Sequence, residues 1–190
     1  IVQYDIIPEI DELIASLPQS YGNFDEITNF YVSDISSSYN PCYPPIGTLE
    51  APLSSIQRAI NFATDGDVVQ LFPGSYAENL NFLGKNFTLK GDGANNTFII
   101  GDSISTVMFN SGEDSLALLT DLTITRSDTI DTQVNGGGVF IENSSPTLDN
   151  VVITGNHGAE LGGGIYLYNS NATFNDVDIT LNSSTSEGGG

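Results

Sequence analysis

The sequence contains no tryptophan, one cysteine, one histidine and four basic residues. Each shortage excludes something. With Cys42 alone, no disulfide can close within the chain, and its setting in "NPCYPP" reads as a half-buried thiol at a proline turn rather than a reactive group. Four Lys and Arg against 24 Asp and Glu give a net charge of -20, so phosphate backbones are repelled and nucleic acid is excluded as a partner. Anionic membrane surfaces are disfavoured for the same reason. No apolar run reaches membrane-spanning length, which argues against membrane insertion, and no secretory leader is visible at Ile1. Charged residues make up only 15%, and Ser, Thr and Asn supply the remaining polarity, a mix that suits a β-rich extracellular or cell-surface protein. At 190 residues and 39% hydrophobic, the chain can build one domain with a real core.

What is abundant is glycine, and it is periodic. "GGGVFIENSSPTLDNVVITGNHGAEL" and "GGGIYLYNSNATFNDVDITLNSSTSE" start at Gly136 and Gly162, and a third triplet starts at Gly188, giving 26-residue rungs from 136. Repetition at such a period means stacked supersecondary units. Within each unit side chains alternate with period two. Val139, Ile141, Val151 and Ile153 become Ile165, Leu167, Val177 and Ile179 and should face inward. Glu142/Tyr168, Val152/Asp178 and Thr154/Thr180 should face outward. Leu148 should stack on Phe174, Asn143 on Asn169, and Asn156 on Asn182. "LDNVVITGN" also fits leucine-rich-repeat spacing, but no helical return segment follows it. Two or three short strands per rung without a helix give an all-β fold, a parallel β-helix.

Upstream, "PLSSIQRAINFATDGD" places Ile56, Ala59, Ile60 and Ala63 at helical spacing, with Ser54 and Gln57 as a capping-box pair and Gly66 as the stop. This predicts a helix at about 54–64 that plugs the end of the core. Strand-like runs "VVQLF", "ENLNF", "FTLKG", "TFIIG", "TVMFN" and "LALLTDLTIT" follow, the first turned by Pro73-Gly74. Residues 1–28 stand apart as an N-terminal extension: "IVQYDII" reads as an arm able to add to a strand edge, and "PEIDELIASLP" as an amphipathic helix.

The stretch from Tyr31 to Gly93 resembles the opening of right-handed parallel β-helix proteins of the pectin-lyase-like superfamily. It contains "YVS", "GTLEAPLSSIQRAI", "GDVV", "PGSYAEN" and "GKNFTLKG" in the order typical of that superfamily. The later units resemble the Gly-Gly-Gly-Ile-Tyr repeats of large surface β-helix proteins. The resemblance implies a right-handed β-helix over 29–190. Its enzymes cleave or remodel anionic polysaccharide, the lyases with Ca²⁺ held by clustered Asp and a basic residue, the hydrolases with paired Asp acting as acid and base. This chain departs from both patterns: it has no Asp-Asp, Asn-Thr-Asp, Gly-His-Gly or Arg-Ile-Lys, and its basic residues are scattered.

The remaining candidates are few. Asp121, Asp128 and Asp131 form the densest acidic group, either a solvated loop or a Ca²⁺ site; no other cofactor is implied. Tyr166 and Tyr168 could stack on carbohydrate from an outward face. Asn86, Asn95, Asn143, Asn171 and Asn182 head Asn-x-Ser/Thr sequons, about as many as chance gives in so Asn-, Ser- and Thr-rich a chain. His157 reads as a turn residue. These readings converge on a non-catalytic extracellular structural module, surface, adhesive or filament-forming. The alternatives are a polysaccharide lyase or glycoside hydrolase, and a carbohydrate-binding module. A stack that reaches "GGG" with no cap beyond Thr180 leaves an open edge. That edge is expected to be covered either by longer repeats of the same chain or, in a head-to-tail homopolymer, by residues 1–28 of a neighbouring copy.

Overall fold

The computed structural model describes residues 29–34, 47–102, 104–126, 135–157 and 159–189. The N-terminal extension and Cys42 lie outside the described residues. In chain order the elements are β1 (Asn29–Val32), α1 (Ile56–Phe62), β2 (Val68–Leu71), β3 (Gly74–Tyr76), β4 (Leu80–Asn81), β5 (Thr88–Lys90), β6 (Thr97–Gly101) and β7 (Val107–Phe109). There follow β8 (Leu118–Arg126), β9 (Val139–Glu142), β10 (Thr147–Thr154), β11 (Ala159–Leu161), β12 (Ile165–Tyr168), β13 (Thr173–Thr180) and β14 (Ser184–Glu187).

Every pairing between these strands is parallel, so the chain coils and each strand meets its counterpart from a neighbouring turn. One sheet runs β1-β2-β5-β8-β10-β13, with β6 joining β3 to β8; a second runs β4-β7-β9-β12; a third pairs β11 with β14. The observed register matches the sequence repeat: Val151 pairs with Val177, Ile153 with Ile179, Val139 with Ile165 and Leu148 with Phe174. Val139, Ile141, Leu148, Val151 and Ile153 are fully buried. At roughly 1.5–3 kcal/mol per buried aliphatic side chain, these inward columns dominate the stability of the coil.

The glycine triplets are where the sequence repeat becomes geometry. Gly136, Gly162 and Gly188 have φ of 67°, 65° and 69°, the left-handed region that side chains disfavour. The next two positions stack backbone on backbone: Gly137 and Gly138 N–H donate to Gly162 and Gly163 O, and Gly163 and Gly164 N–H to Gly188 and Gly189 O. A Cβ at Gly138 would stand 2.6 Å from Gly164 O.

Asparagines tie the turns together. Asn169 Nδ2 donates to Asn143 Oδ1 at 2.7 Å, and Asn156 donates from both N (3.0 Å) and Nδ2 (2.9 Å) to Asn182 Oδ1. One feature departs from the sequence reading. β8, β10 and β13 are not straight: Asp121, Asn150 and Asp176 adopt φ of 60°, 52° and 46° and drop out of the pairing register. The short polar side chains tolerate this conformation, and each strand bends there.

The beginning of the stack is closed. α1 buries Ile56, Ala59 and Ile60 against the first turn, and Ala63 beyond it, as their spacing predicts. Its cap differs from expectation: Ser55, not Ser54, is the N-cap, accepting from Arg58 N. Gln57 does not complete a capping box. Its amide accepts from Asn81 N (2.8 Å) and donates to Asn81 O (3.2 Å), occupying the outer edge of β4 as a strand would. The outer edge of β1 is occupied likewise, with Tyr31 N donating to Gly47 O and Ser33 N to Leu53 O. Gly74 is a further difference, since it opens β3 rather than serving only as a turn.

Among the described residues the opposite face is exposed. In β12 and β13 the positions that point inward one turn earlier are uncovered: Leu167 is 43% exposed, Phe174 39% and Ile179 39%.

Candidate functional site

The carboxylates come first, because hydrolysis and cation binding both need them. Glu78, in "PGSYAEN", accepts from Ile56 N (2.8 Å), Gln57 N (3.0 Å) and Ser55 Oγ (2.8 Å), and so holds the N-terminus of α1. Lys85, in "GKNFTLKG", donates to Ile60 O and Asn61 O at the helix's other end. Burial lowers the Lys85 pKa, partly offset by Asp65 and Asp67. Asp34 accepts from Ser75 N at 2.8 Å, and the Tyr76 hydroxyl donates to Val32 O and Phe72 O. Burial, then the Asp34 carboxylate, pushes the Tyr76 pKa up to about 12. The residues that carry the superfamily resemblance are thus a clamp between the helix and the first turns. Asp34, Ser54, Ser55, Ser75 and Glu78 do line a shallow groove here, but Glu78 and Asp34 turn to backbone within it.

Further along, Glu113 is 1% exposed and accepts from Gly84 N (2.8 Å), Ser111 N (3.0 Å) and Ser144 Oγ (2.7 Å), joining neighbouring turns. Sequence reading passed over it, as it also passed over Glu78's role. Asp67 accepts from Thr64 N and Oγ1, and Asp65 from Asn86 N. Asp121 sits at the bend of β8 with Oδ1 accepting from Asn150 Nδ2 at 2.7 Å. Asp128 and Asp131, its companions in the cation reading, lie outside the described residues. Among the described residues no three metal-ligating side chains gather.

The outward face of β4, β7, β9 and β12 carries the aromatic candidates. Register aligns Asn81, Met108, Phe140 and Tyr166 in one column. Tyr166 stacks on Phe140 with ring centroids 5.5 Å apart and planes 13° from parallel. The 26-residue spacing from Phe140 to Tyr166 held this signal, although Phe140 was not singled out. Tyr168, 57% exposed, pairs in register with Glu142 and stands apart from that stack. His157 Nδ1 lies 3.2 Å from Ser183 Oγ, a contact between matching turn positions rather than a site with an orienting acid. Of the basic groups, Arg58 lies over the Phe62 ring and Arg126 is buried, donating to Asp102 O.

The five sequons fall in different surroundings. Asn95 and Asn171 are exposed; Asn143 is exposed but tied to Asn169; Asn86 accepts from Asp114 N through its side-chain oxygen; Asn182 is buried.

No protein-family model and no curated protein matches the chain. Solved structures do. Pectin methylesterase PemA from Erwinia chrysanthemi aligns with a TM-score of 0.58 at 19% identity, over 79% of this chain and 48% of that one. A pectin methylesterase mutant in complex with a hexasaccharide gives 0.57 at 19% identity, over 79% and 48%. Another pectin methylesterase–hexasaccharide complex gives 0.57 at 17% identity, over 82% and 56%. The fold is the parallel β-helix that these pectin methylesterases share. At these identities the likeness concerns the fold alone. The chain spans about half the length of the pectin methylesterases it matches. Among the described residues no helix is long and apolar enough to cross a membrane.

Proposed function

We propose that the chain is a non-catalytic structural module of the extracellular space, a rod built by stacking 26-residue rungs. The observation that supports this reading best is the use made of its carboxylates. Glu78 and Glu113 each accept three hydrogen bonds from the fold itself, and Asp34, Asp65 and Asp67 are likewise turned to backbone. A hydrolase or lyase needs acids aimed at a substrate, with one free to exchange a proton. An extracellular setting is supported by the Ser-, Thr- and Asn-rich surface and the low share of charge.

The open rung supplies the stacking surface. Leu167, Phe174 and Ile179 present to solvent the same face that Ile141, Leu148 and Ile153 present to them. The natural complement is therefore another unit of the same repeat. Inserting an extra copy of residues 162–187 after Glu187 should raise the melting temperature, because each added rung contributes its own interface. An unchanged or lowered melting temperature would count against the stacking reading.

A carbohydrate-binding role is the second reading. It is favoured by the Phe140–Tyr166 column and by the hexasaccharides bound to two of the structural neighbours.

A further inference from the structure

The sequons become informative once their surroundings are compared, because an N-linked glycan imposes a steric condition on the folded chain. Transfer of a glycan joins the asparagine Nδ2 to C1 of a sugar carried on a lipid diphosphate. The C1–O bond breaks, the lipid diphosphate leaves, and one amide proton is lost. The product amide keeps one N–H and needs open space for a bulky, hydrated group.

Asn182 cannot meet that condition. It is 8% exposed, its Nδ2 donates to Ile153 O at 2.8 Å, and its Oδ1 accepts from Asn156 N and Nδ2. Gly164 backs onto the same amide: a Cβ there would lie 2.8 Å from Asn182 Nδ2. A sugar on that nitrogen would break the ladder and open the core, exposing the fully buried Asn156. Asn95 and Asn171 are the opposite case. Asn95 sits in the turn at 94–96 and Asn171 in the turn between β12 and β13, both exposed. Asn171 is held through its backbone, whose N–H donates to Ser145 Oγ, and the residue is exposed. Both sequons carry Thr at the third position, Thr97 and Thr173. Asn86 and Asn143 lie between these extremes, their side-chain oxygens already accepting from Asp114 N and Asn169 Nδ2.

We propose that Asn95 and Asn171 are N-glycan acceptors and that Asn182 is not. The proposal rests on the extracellular reading above. A glycan at Asn171 would stand on the flank of the rod, one turn from Ser145, and one at Asn95 on the turn before β6.

The test is peptide mapping of the full chain produced by cells that secrete and N-glycosylate it, with enzymatic deglycosylation in ¹⁸O-water to mark each occupied Asn. The expected result is label at Asn95 and Asn171 and none at Asn182. The double variant Asn95→Gln/Asn171→Gln should lose both labels and migrate faster by two glycan steps while keeping its circular dichroism. Label at Asn182 in soluble, folded protein would overturn the proposal. So would a secreted chain with Asn95 and Asn171 both empty, which leaves the extracellular reading intact. A chain that such cells retain and leave unmodified would overturn the extracellular reading, and this proposal with it.

Discussion

Val151→Asp is expected to unfold the central rungs, whereas Val152→Asp, one residue away, is expected to be nearly silent. Val151 is fully buried and pairs with Leu122 on one side and Val177 on the other. The inward column around it is apolar, with Leu122, Leu148, Ile153 and Val177 as neighbours. The loss of apolar burial adds to the desolvation of the charge, for a total of about 4 kcal/mol or more. Val152 points outward, and its partner in the next rung is already Asp178, so its change should cost under about 1 kcal/mol. Ile179→Asp makes the sharpest comparison. The sequence repeat equates Ile179 with Ile153, which predicts the same unfolding. The structure leaves Ile179 39% exposed on the open rung, so its loss should be well below that of Val151. Urea denaturation of the three variants separates these cases; equal losses at 151 and 152 would mean the register is off by one.

Glu113→Ala should be the most damaging change to a polar residue. The carboxylate is 1% exposed and accepts from two backbone N–H groups and the Ser144 hydroxyl. Removing it strands two part-buried backbone donors, at about 1–3 kcal/mol each unless water enters, while the Ser144 hydroxyl keeps Glu142 O as an acceptor, so a loss of about 2 kcal/mol or more is expected. Ser144 Oγ also accepts from Gly112 N, so the disturbance should spread to the turn before β8. Glu113→Gln keeps one acceptor oxygen and should recover part of the loss. The comparison is made by equilibrium denaturation at neutral pH. A loss below about 0.5 kcal/mol for the alanine variant would show that the turns do not depend on this carboxylate.

The contrast between these two residues shows what the sequence made legible. Val151 is readable because period-two alternation and a 26-residue repeat act together, and both are consequences of stacking strands in register. The same logic locates the Asn143–Asn169 and Asn156–Asn182 ladders and the glycine triplets. Glu113 is not readable, because two of its three partners, Gly84 and Ser144, lie one turn away on either side, in segments that share no repeat with it. Glu78 was visible only as part of "PGSYAEN"; that it caps α1 depends on how the second turn folds back over the helix. Gln57 misled for a related reason, since the position suits a capping box but the strand edge at Asn81 offers its amide two hydrogen bonds. The bends at Asp121, Asn150 and Asp176 escaped although they shift the alternation, since inward Leu148 and Val151 lie three residues apart rather than two. Tyr166 was found for its outward position, and Phe140 beneath it was not, though the repeat places one on the other.

The most direct test of the non-catalytic reading is to incubate the full chain with methyl-esterified and with de-esterified pectin, with and without millimolar Ca²⁺. Released methanol, new reducing ends and unsaturated products would be measured beside a pectin methylesterase as positive control. With Asp34, Asp65, Asp67, Glu78 and Glu113 committed to the fold, the chain is expected to release none of these above buffer. Sustained, heat-sensitive release of any one would contradict the account and place this β-helix among the enzymes whose fold it shares.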